Sequence, residues 1–380
     1  MRLMLVISSM SRGGAERVLN ILADAWSAHG HQVTLVTLAG PRPDDYPLSE
    51  QVTRVALNTA LKSRNPLHGL INNLRRIHLL RKMIKELHPD VILSFVVHTN
   101  LLTLLAVFGT DIPVIVSERT DPSRILIGRS REMLRKMLYP RAVAVVVQTL
   151  TVKNQMQAQM PTATFHVIPN PVPAENHDRH RDHVPIRSLV KIPQHAEIIS
   201  AMGRLDVSKG FDLLIRAFTL LHADHPDSHL IIFGEGKERK NLERMVSEYS
   251  LENYIHLPGS VSTPRHCLSE SDIFVLSSRF EGFPNALLEA MACGLPVISF
   301  DCPSGPSDIV RDGIDGLLVP CEDVHALTDA LSGLLANAAK RSRLSAAARE
   351  VTQRFAVNKI VAYWEQLLEN TISQHDENAH

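Results

Sequence analysis

Aromatic residues are scarce, with 2 Trp, 5 Tyr and 11 Phe in 380 residues, so the chain is short of the stacking platforms on which single-stranded nucleic acids lie. Net charge is absent too, because 40 Lys and Arg balance 40 Asp and Glu. That balance gives no reason to expect a nucleic-acid partner. The zero is nevertheless a sum of opposites: residues 1–172 carry 20 Lys and Arg against 11 Asp and Glu, and the remainder 20 against 29. A basic N-terminal half suits contact with anionic lipid. The four cysteines, Cys267, Cys293, Cys302 and Cys321, lack C-x-x-C spacing, and a chain this long needs no disulfide staples, so they read as reduced core or loop thiols.

Other absences narrow the reading further. The N-terminal RLMLVISS has neither the apolar h-region nor the cleavage site of a signal peptide, which points to a cytoplasmic protein. Residues 91–110 lack Lys, Arg, Asp and Glu, but His98, Thr99 and Asn100 interrupt them. A strand at Val91 to Val97 and a buried helix at Leu101 to Phe108 are expected there, and no membrane span. The SRGGAER loop after the first strand lacks the third glycine of G-x-G-x-x-G, and no acid ends the second strand. A Rossmann dehydrogenase is therefore disfavoured. His177, His180 and His183 fall in a hydrophilic ENHDRHRDH run that reads as solvated chain, and no metal or other cofactor is expected.

What is present is a repeated alternation of strand and helix. Leu3–Ser8, Ala15–His29 and Gln32–Leu38 form a βαβ opening, followed by strands at Val91–Phe95, Pro113–Ser117 and Ala142–Val147. A proline-rich stretch at Val167–Pro173 closes this half. After a polar loop over Asn176–His195, a second series begins with Glu197–Met202. Two α/β domains of about 150 to 200 residues each are the outcome: residues 1–172, a linker at 173–195, residues 196–355, and a helix with a polar, disordered tail at 356–380.

Chemistry concentrates at SDIFVLSSRFEGFPNALLEAMACG, residues 271–294. Ile273–Leu276 reads as a buried strand, SRFEG as the loop at its carboxyl end, and Pro284 as the start of a helix that ends at Gly294. Glu281 lies in the loop, and Glu289 is the only charge among Leu287, Leu288, Ala290 and Met291. Upstream, GRLDVSKGFD sets Lys209 against the unfavourable end of a helix macrodipole, as if to meet a bound anion, with Arg204 able to join it on a diphosphate.

The pair E281-GFPNALL-E289, with the R-x4-K spacing of Arg204 and Lys209, resembles the retaining glycosyltransferases of family 4, and the likeness extends over most of the chain. The resemblance implies the GT-B fold, two Rossmann-like doubly wound domains of parallel sheet facing a central cleft. It implies that Gly282, Phe283, Pro284 and Asn285 join Glu281 and Glu289 around the donor, Glu281 at the sugar and Glu289 at the ribose. It places Gly13 and Gly14 at the diphosphate and makes His98 face the sugar and the acceptor, with Glu118 and Arg119 on the acceptor side. Glu281, Arg204, Lys209 and His98 are then the catalytic set, acting on a UDP-sugar without metal. An epimerase of the same fold that acts at C2 of a nucleotide-sugar, and a catalytically silent nucleotide-binding protein, are the alternatives.

Residues 61–88 are the last distinctive feature. Lys62, Arg64, Arg75, Arg76, Arg81, Lys82 and Lys85 lie among Leu67, Leu70, Ile71, Leu74, Ile77, Leu80 and Ile84, and spacings of three and four read as one apolar stripe. Such a helix suits either the core or a peripheral site at the inner face of an anionic membrane, beside a lipid-linked saccharide acceptor of bacterial surface-glycan synthesis.

Overall fold

The computed structural model describes residues 1–11, 13–43, 45–60, 65–119, 128–173, 185–261 and 264–379. The chain divides into two compact units, one of Met1–Pro171 with Val357–His380 and one of Val172–Ala356. Lys62, Arg64, His177, His180 and His183 lie outside the described residues.

In the first unit the chain runs β1 (Arg2–Ile7), α1 (Gly14–Ala28), β2 (Gln32–Thr37), β3 (Thr53–Ala56), α2 (Pro66–Leu87), β4 (Val91–Phe95), α3 (Val97–Ala106), β5 (Val114–Ser117), α4 (Arg129–Leu138), β6 (Ala144–Val147), α5 (Leu150–Gln159) and β7 (Phe165–Val167). Its sheet has the order β3-β2-β1-β4-β5-β6-β7. In the second unit follow α6 (Ile186–Leu189), β8 (Glu197–Met202), α7 (Phe211–His222), β9 (Ser228–Phe233), α8 (Arg239–Glu248), β10 (Ile255–Gly259), α9 (Pro264–Ser269), β11 (Ile273–Leu276), α10 (Asn285–Ala292), β12 (Val297–Asp301), α11 (Pro306–Ile309), β13 (Leu317–Pro320), α12 (Val324–Leu335), α13 (Ala338–Ala348) and α14 (Val351–Arg354). The order here is β10-β9-β8-β11-β12-β13, and α15 (Val357–Ala379) returns to the first unit.

Every strand pairing is parallel. The central strands read as continuous apolar runs because helices cover both sheet faces; all residues of β4, β5, β6, β9 and β11 are buried. In each sheet the winding reverses once, between β1 and β4 and between β8 and β11. Loops leaving the carboxyl ends of strands at such a reversal splay apart and leave room for a ligand. Gly13 and Gly14 follow β1, His98 follows β4, Arg204 and Lys209 follow β8, and Glu281 follows β11. The motif residues thus flank the switch point of each sheet.

Several expectations change. His98, Thr99 and Asn100 do not separate strand from helix; they form the first turn of α3. Thr99 and Asn100 are buried, and Asn100 Nδ2 donates to Ser117 O (3.1 Å) and Tyr139 Oη (3.0 Å), so their polarity serves packing. The linker holds α6, whose Ile186 is buried with Ile198, Ile231 and Phe233. Residues 338–354 form two helices, α13 and α14. The tail over residues 370–379 is helical, continuing α15 while Thr371, itself buried, bonds back to Leu367 O. Strands β3 and β7, at the two sheet edges, were not read from sequence; they have four and three residues, too few for a hydrophobic period to register.

The helix over residues 61–88 differs most. Ile71, Leu74, Ile77 and Leu80 are spaced by three, and each such step falls about 60° short of a full turn. After three steps the stripe has crossed to the other side of the helix. Leu80 and Ile84 are in the core, whereas Leu67, Leu70, Ile71 and Leu74 are exposed.

Candidate functional site

The second unit builds its site from the loops after β8 and β11. After Met202 the chain passes through Gly203–Asp206 into a tight turn at Val207–Lys209, capped by the Asp206 carboxylate, which accepts from Ser208 N. Gly210 then adopts φ +61, and a Cβ there would lie 2.0 Å from Ser277 O. Only glycine lets the two loops approach this closely. Ser277 Oγ donates to Lys209 O (2.9 Å) and Arg279 N to Ser208 O (2.8 Å). Arg279 completes the fastening, its guanidinium donating to Val207 O, to both oxygens of Asp212 (2.8 and 2.7 Å) and to Glu322 (3.1 Å). Burial alone raises the Asp212 carboxyl, but the Arg279 hydrogen bonds and charge bring it below the usual carboxylate range.

Lys209 Nζ donates to Glu281 Oε1 at 2.5 Å, and Ser278 Oγ donates to the same oxygen at 2.6 Å. Glu281 is 9% exposed, so without Lys209 it is a nearly buried charge. Arg204 is exposed, and its guanidinium has no partner among the described residues. The GEG stretch after β9 explains how the Arg204 loop is held. A Cβ on Gly234 would meet Gly203 O at 1.9 Å and one on Gly236 would meet Leu205 O at 2.1 Å. Leu205 N donates to Glu235 O and Glu238 N to Leu205 O, both at 3.0 Å.

Beyond Glu281 the chain anchors itself in the core. Phe283 is buried and packs edge-on against Phe355 (ring centroids 5.6 Å apart), so its side chain is turned into the core of the second unit. Pro284 caps α10, which starts at Asn285. Ser304 Oγ donates to Gly282 O, and Gly305, at φ +98, sits so close that a Cβ would lie 2.7 Å from Pro284 Cδ. The DCPSGPSD loop therefore braces the start of α10. Glu289 is 6% exposed on α10 among buried Leu288, Ala290 and Met291.

In the first unit, Gly13 caps α1 in extended conformation (φ −137) and Gly14 begins the helix, exposed. A Cβ on Gly13 would fall 2.2 Å from Glu16 Oε2. Val96, which joins β4 to α3, has φ 73. A β-branched residue there stores strain of about 1–3 kcal/mol, of the kind that collects at functional sites. His98 lies two residues on, with Arg76 Nη1 3.5 Å from its Nε2. Burial first, then the charges of Arg76 and Arg131, lower its pKa to about 4, so the ring is neutral at pH 7 and suited to accept or share a hydrogen bond.

Glu118 and Arg119 are drawn inward. The Glu118 carboxylate accepts from Tyr139 Oη (3.0 Å) and pairs with buried Arg135 (3.6 Å), so it braces β5 against α4 and is not set out to meet an acceptor. Arg119 lies over the Phe95 ring (4.6 Å) and near that of Trp364 (5.9 Å), donating to Asn170 Oδ1 at 2.6 Å. Its Nε and Nη2 are buried without partners among the described residues. Burial lowers its pKa to about 9 against the opposing pull of Glu118.

Arg279, Asp212, Ser278 and Val96 were not picked out from sequence. Arg279 stands two residues before Glu281 in SRFEG and could have been flagged as a loop cation with no helix charge to match. Among the described residues no three His, Cys, Asp or Glu side chains are grouped to hold a metal ion, and no helix is long and apolar enough to cross a membrane. All four cysteines are free; burial pushes the thiols of Cys267 and Cys302 up to about 11 and about 12, which makes them poor nucleophiles.

Comparison with known proteins bears on this arrangement. The model of the family Glycosyltransferase Family 4 matches residues 12–176, and that of Glycosyl transferases group 1 matches residues 186–351. The GalNAc-alpha-(1->4)-GalNAc-alpha-(1->3)-diNAcBac-PP-undecaprenol alpha-1,4-N-acetyl-D-galactosaminyltransferase of Campylobacter jejuni is 25% identical over 369 residues, which is 97% of this chain and 98% of that protein. An exopolysaccharide phosphotransferase of Streptomyces coelicolor is 28% identical over 301 residues, but this match spans 78% of the chain and only 30% of that protein. A crystal structure of S. aureus TarM in complex with Fondaparinux, alpha-GlcNAc-glycerol and UDP superimposes with a TM-score of 0.78 at 15% identity, covering 97% of this chain and 100% of that one. With a switch-point site in each of two parallel sheets and both family models matched in order along it, the chain belongs to the family-4 type of glycosyltransferase and has the GT-B fold.

Proposed function

We propose that the protein transfers a hexose or N-acetylhexosamine from a UDP-sugar to a lipid-linked saccharide, with retention at the anomeric carbon and without a metal ion, in the synthesis of a bacterial surface glycan. The observation that carries the reading is the Lys209–Glu281 pair with Arg204 free beside it, at the switch point of the second sheet. A nucleotide-sugar diphosphate offers Arg204 the anion it lacks and Lys209 an anion in place of Glu281, which is released from its ion pair to accept hydrogen bonds from sugar hydroxyls. The relatives support the donor and acceptor classes: one has UDP bound, and the name of another specifies a PP-undecaprenol acceptor.

In this reading the bond from anomeric carbon to diphosphate oxygen breaks, and the acceptor oxygen bonds to the same face of that carbon. The acceptor proton passes to the departing diphosphate. Arg204, Lys209 and the first N–H groups of α10 take up the negative charge that develops on the leaving group, the work a bound cation does in other transferases. Glu289 holds the ribose, and neutral His98 in the first unit orients sugar or acceptor. Arg119 keeps two donors for an acceptor group, while Glu118 contributes only by fixing the end of β5.

The test separates the two glutamates. Glu289→Gln is expected to weaken calorimetric binding of UDP, since it gives up charged hydrogen bonds of about 1.5–3 kcal/mol each in gross terms. Glu281→Gln is expected to leave UDP binding nearly unchanged and to lower turnover of the UDP-sugar. Equal weakening of UDP by both substitutions refutes this assignment. Product analysis on a UDP-sugar panel with added polyprenyl-diphosphate saccharide reads out transfer against epimerisation at C2.

A further inference from the structure

On a helical wheel the exposed apolar residues of α2, Leu67, Leu70, Ile71 and Leu74, fall within an arc of about 100°; they are 67, 57, 53 and 57% exposed. Lys82 and Lys85, further along the helix and also exposed, lie in or beside the same arc. The solvent face of α2 therefore begins apolar and ends basic. Behind it the order is reversed: Gly69, Asn72, Asn73 and Arg76 face inward in the first half, and Ile77, Leu80 and Ile84 in the second. A helix that turns its leucines outward over two turns has been shaped for something that covers them.

A second helix adds to the patch. On α4, Met133 and Met137 are 64 and 60% exposed one turn apart, with exposed Arg129 and Lys136 on the same side of the helix. Both helices pack on α3. Arg76 of α2 approaches His98, and the charge of Arg131 of α4 acts on the same ring, so the middle of α2 and the start of α4 border the carboxyl end of β4. Acids are few: Glu86 on α2, 3.7 Å from Lys82 in an exposed pair, and Glu132 on α4, tied to Arg135.

We propose that the first half of α2, together with α4, seats this protein on an anionic lipid bilayer, the leucines and methionines entering the boundary between headgroups and acyl chains while the cations meet lipid phosphates. The inference rests on the lipid-linked acceptor proposed above and places the bilayer against two helices that also set Arg76 and Arg131 around His98. It also changes the expected nature of the attachment. Arg76 donates to Thr59 O, and Arg81 to the carbonyls of Leu105, Ala106 and Phe108; these two arginines are committed to the fold and are not available to lipid. Apolar insertion, which salt does not screen, then carries much of the binding.

Flotation of the full chain with vesicles of phosphatidylcholine containing roughly one-third phosphatidylglycerol tests this at low and high salt. The intact protein is expected to float at low salt and to keep a measurable bound fraction at high salt. Leu70→Ser with Leu74→Ser, both on exposed positions, is expected to lower binding about tenfold at either salt. Lys82→Ser with Lys85→Ser is expected to lower it severalfold at low salt and little at high salt. The proposal is overturned if the leucine variant floats like the intact protein, or if the intact protein ignores vesicles. It is likewise overturned if sedimentation shows a dimer that the leucine variant dissolves while neither protein floats. UDP-sugar hydrolysis, measured without lipid, separates this from the functional reading: hydrolysis absent from an intact protein that floats counts against the transferase and leaves the seating in place.

Discussion

The two sheets present their switch points in opposite styles. In the second unit the loops after β8 and β11 are locked by charge, with Arg279 fastened to Asp212 and Glu322, Lys209 to Glu281, and glycine at each place where backbones touch. In the first unit the corresponding edge is held by packing. Trp26, Phe95 and Trp364 form one aromatic cluster, Arg119 lies on it with two donors unpartnered, and Val96 is strained. In the proposed function the second unit's site receives a highly charged diphosphate, which benefits from charges already in place because preorganised groups need not rearrange when the leaving group departs. In the proposed function the first unit's edge meets a larger, less charged saccharide, which gains more from apolar walls.

The largest expected effect attacks the packed edge. Trp364→Ala removes a buried ring that touches Trp26 and Phe95, and a loss of about 3–5 kcal/mol in urea denaturation is expected. Preserved stability would mean that the first unit is not held together as described. Next, Lys209→Ala is expected to cost about 3–4 kcal/mol of transition-state stabilisation, read as kcat/KM on the UDP-sugar, and to lower stability as well because Glu281 is left uncompensated. Arg204→Ala is expected to cut activity by a comparable amount with no change in denaturation midpoint, since that side chain is exposed and holds nothing else. If both variants lose stability equally, the contrast between a committed and a free cation is wrong.

A smaller effect belongs to Arg279→Ala. Loss of the fastening between the two loops is expected to destabilise by about 1–3 kcal/mol and to raise KM for the UDP-sugar more than it lowers kcat. The smallest concerns acid, where the units behave alike. His98 in the first and His256 in the second both have pKa values lowered to about 4, mainly by burial, with Arg76 and Arg131 adding to the first and His229 to the second. Unfolding returns each ring to the ordinary histidine value of 6.5, so the unfolded chain binds more protons between these values. Stability from these rings is whole above pH 6.5 and drains away as pH falls towards 4. His98→Asn and His256→Asn are each expected to flatten the dependence of the urea midpoint on pH over that interval. A kcat/KM profile with an inflection near pH 6.5 that His98→Gln abolishes would show His98 titrating in the wrong range.

Much of the architecture was legible because both sheets are parallel and covered on both faces. VILSF, EIISAM and IFVL read as strands without any need for alternation, and the charged motif residues stand just beyond such runs. The pairing of Lys209 with Glu281 was not legible, since 72 positions separate them and only the fold brings the two loops together. The burial of Glu118 and Phe283 was not legible for a related reason: a charged or aromatic residue near a strand end looks the same in sequence whether its side chain turns outward or into the core. The course of α2 escaped because spacings of three and four were counted as equivalent, although a succession of threes drifts around the axis. The helix over residues 370–379 has no apolar period strong enough to announce itself; it continues a helix begun by Ile360, Val361, Trp364, Leu367 and Leu368, all buried in the first unit.

That last helix gives the chain an order of birth. The core of the first unit is open until α15 is laid on it, yet α15 leaves the ribosome only after the whole of Val172–Ala356 has been made. At roughly 5–20 residues per second, the sheet that opens the chain waits some tens of seconds with the bed of Trp364 uncovered, while the second unit, whose residues are contiguous, can close first. The enzyme therefore completes itself from the middle outward. Until then the nascent first unit carries two apolar surfaces: one that its own last helix will cover, and one on α2 and α4 that no part of the chain's described residues covers.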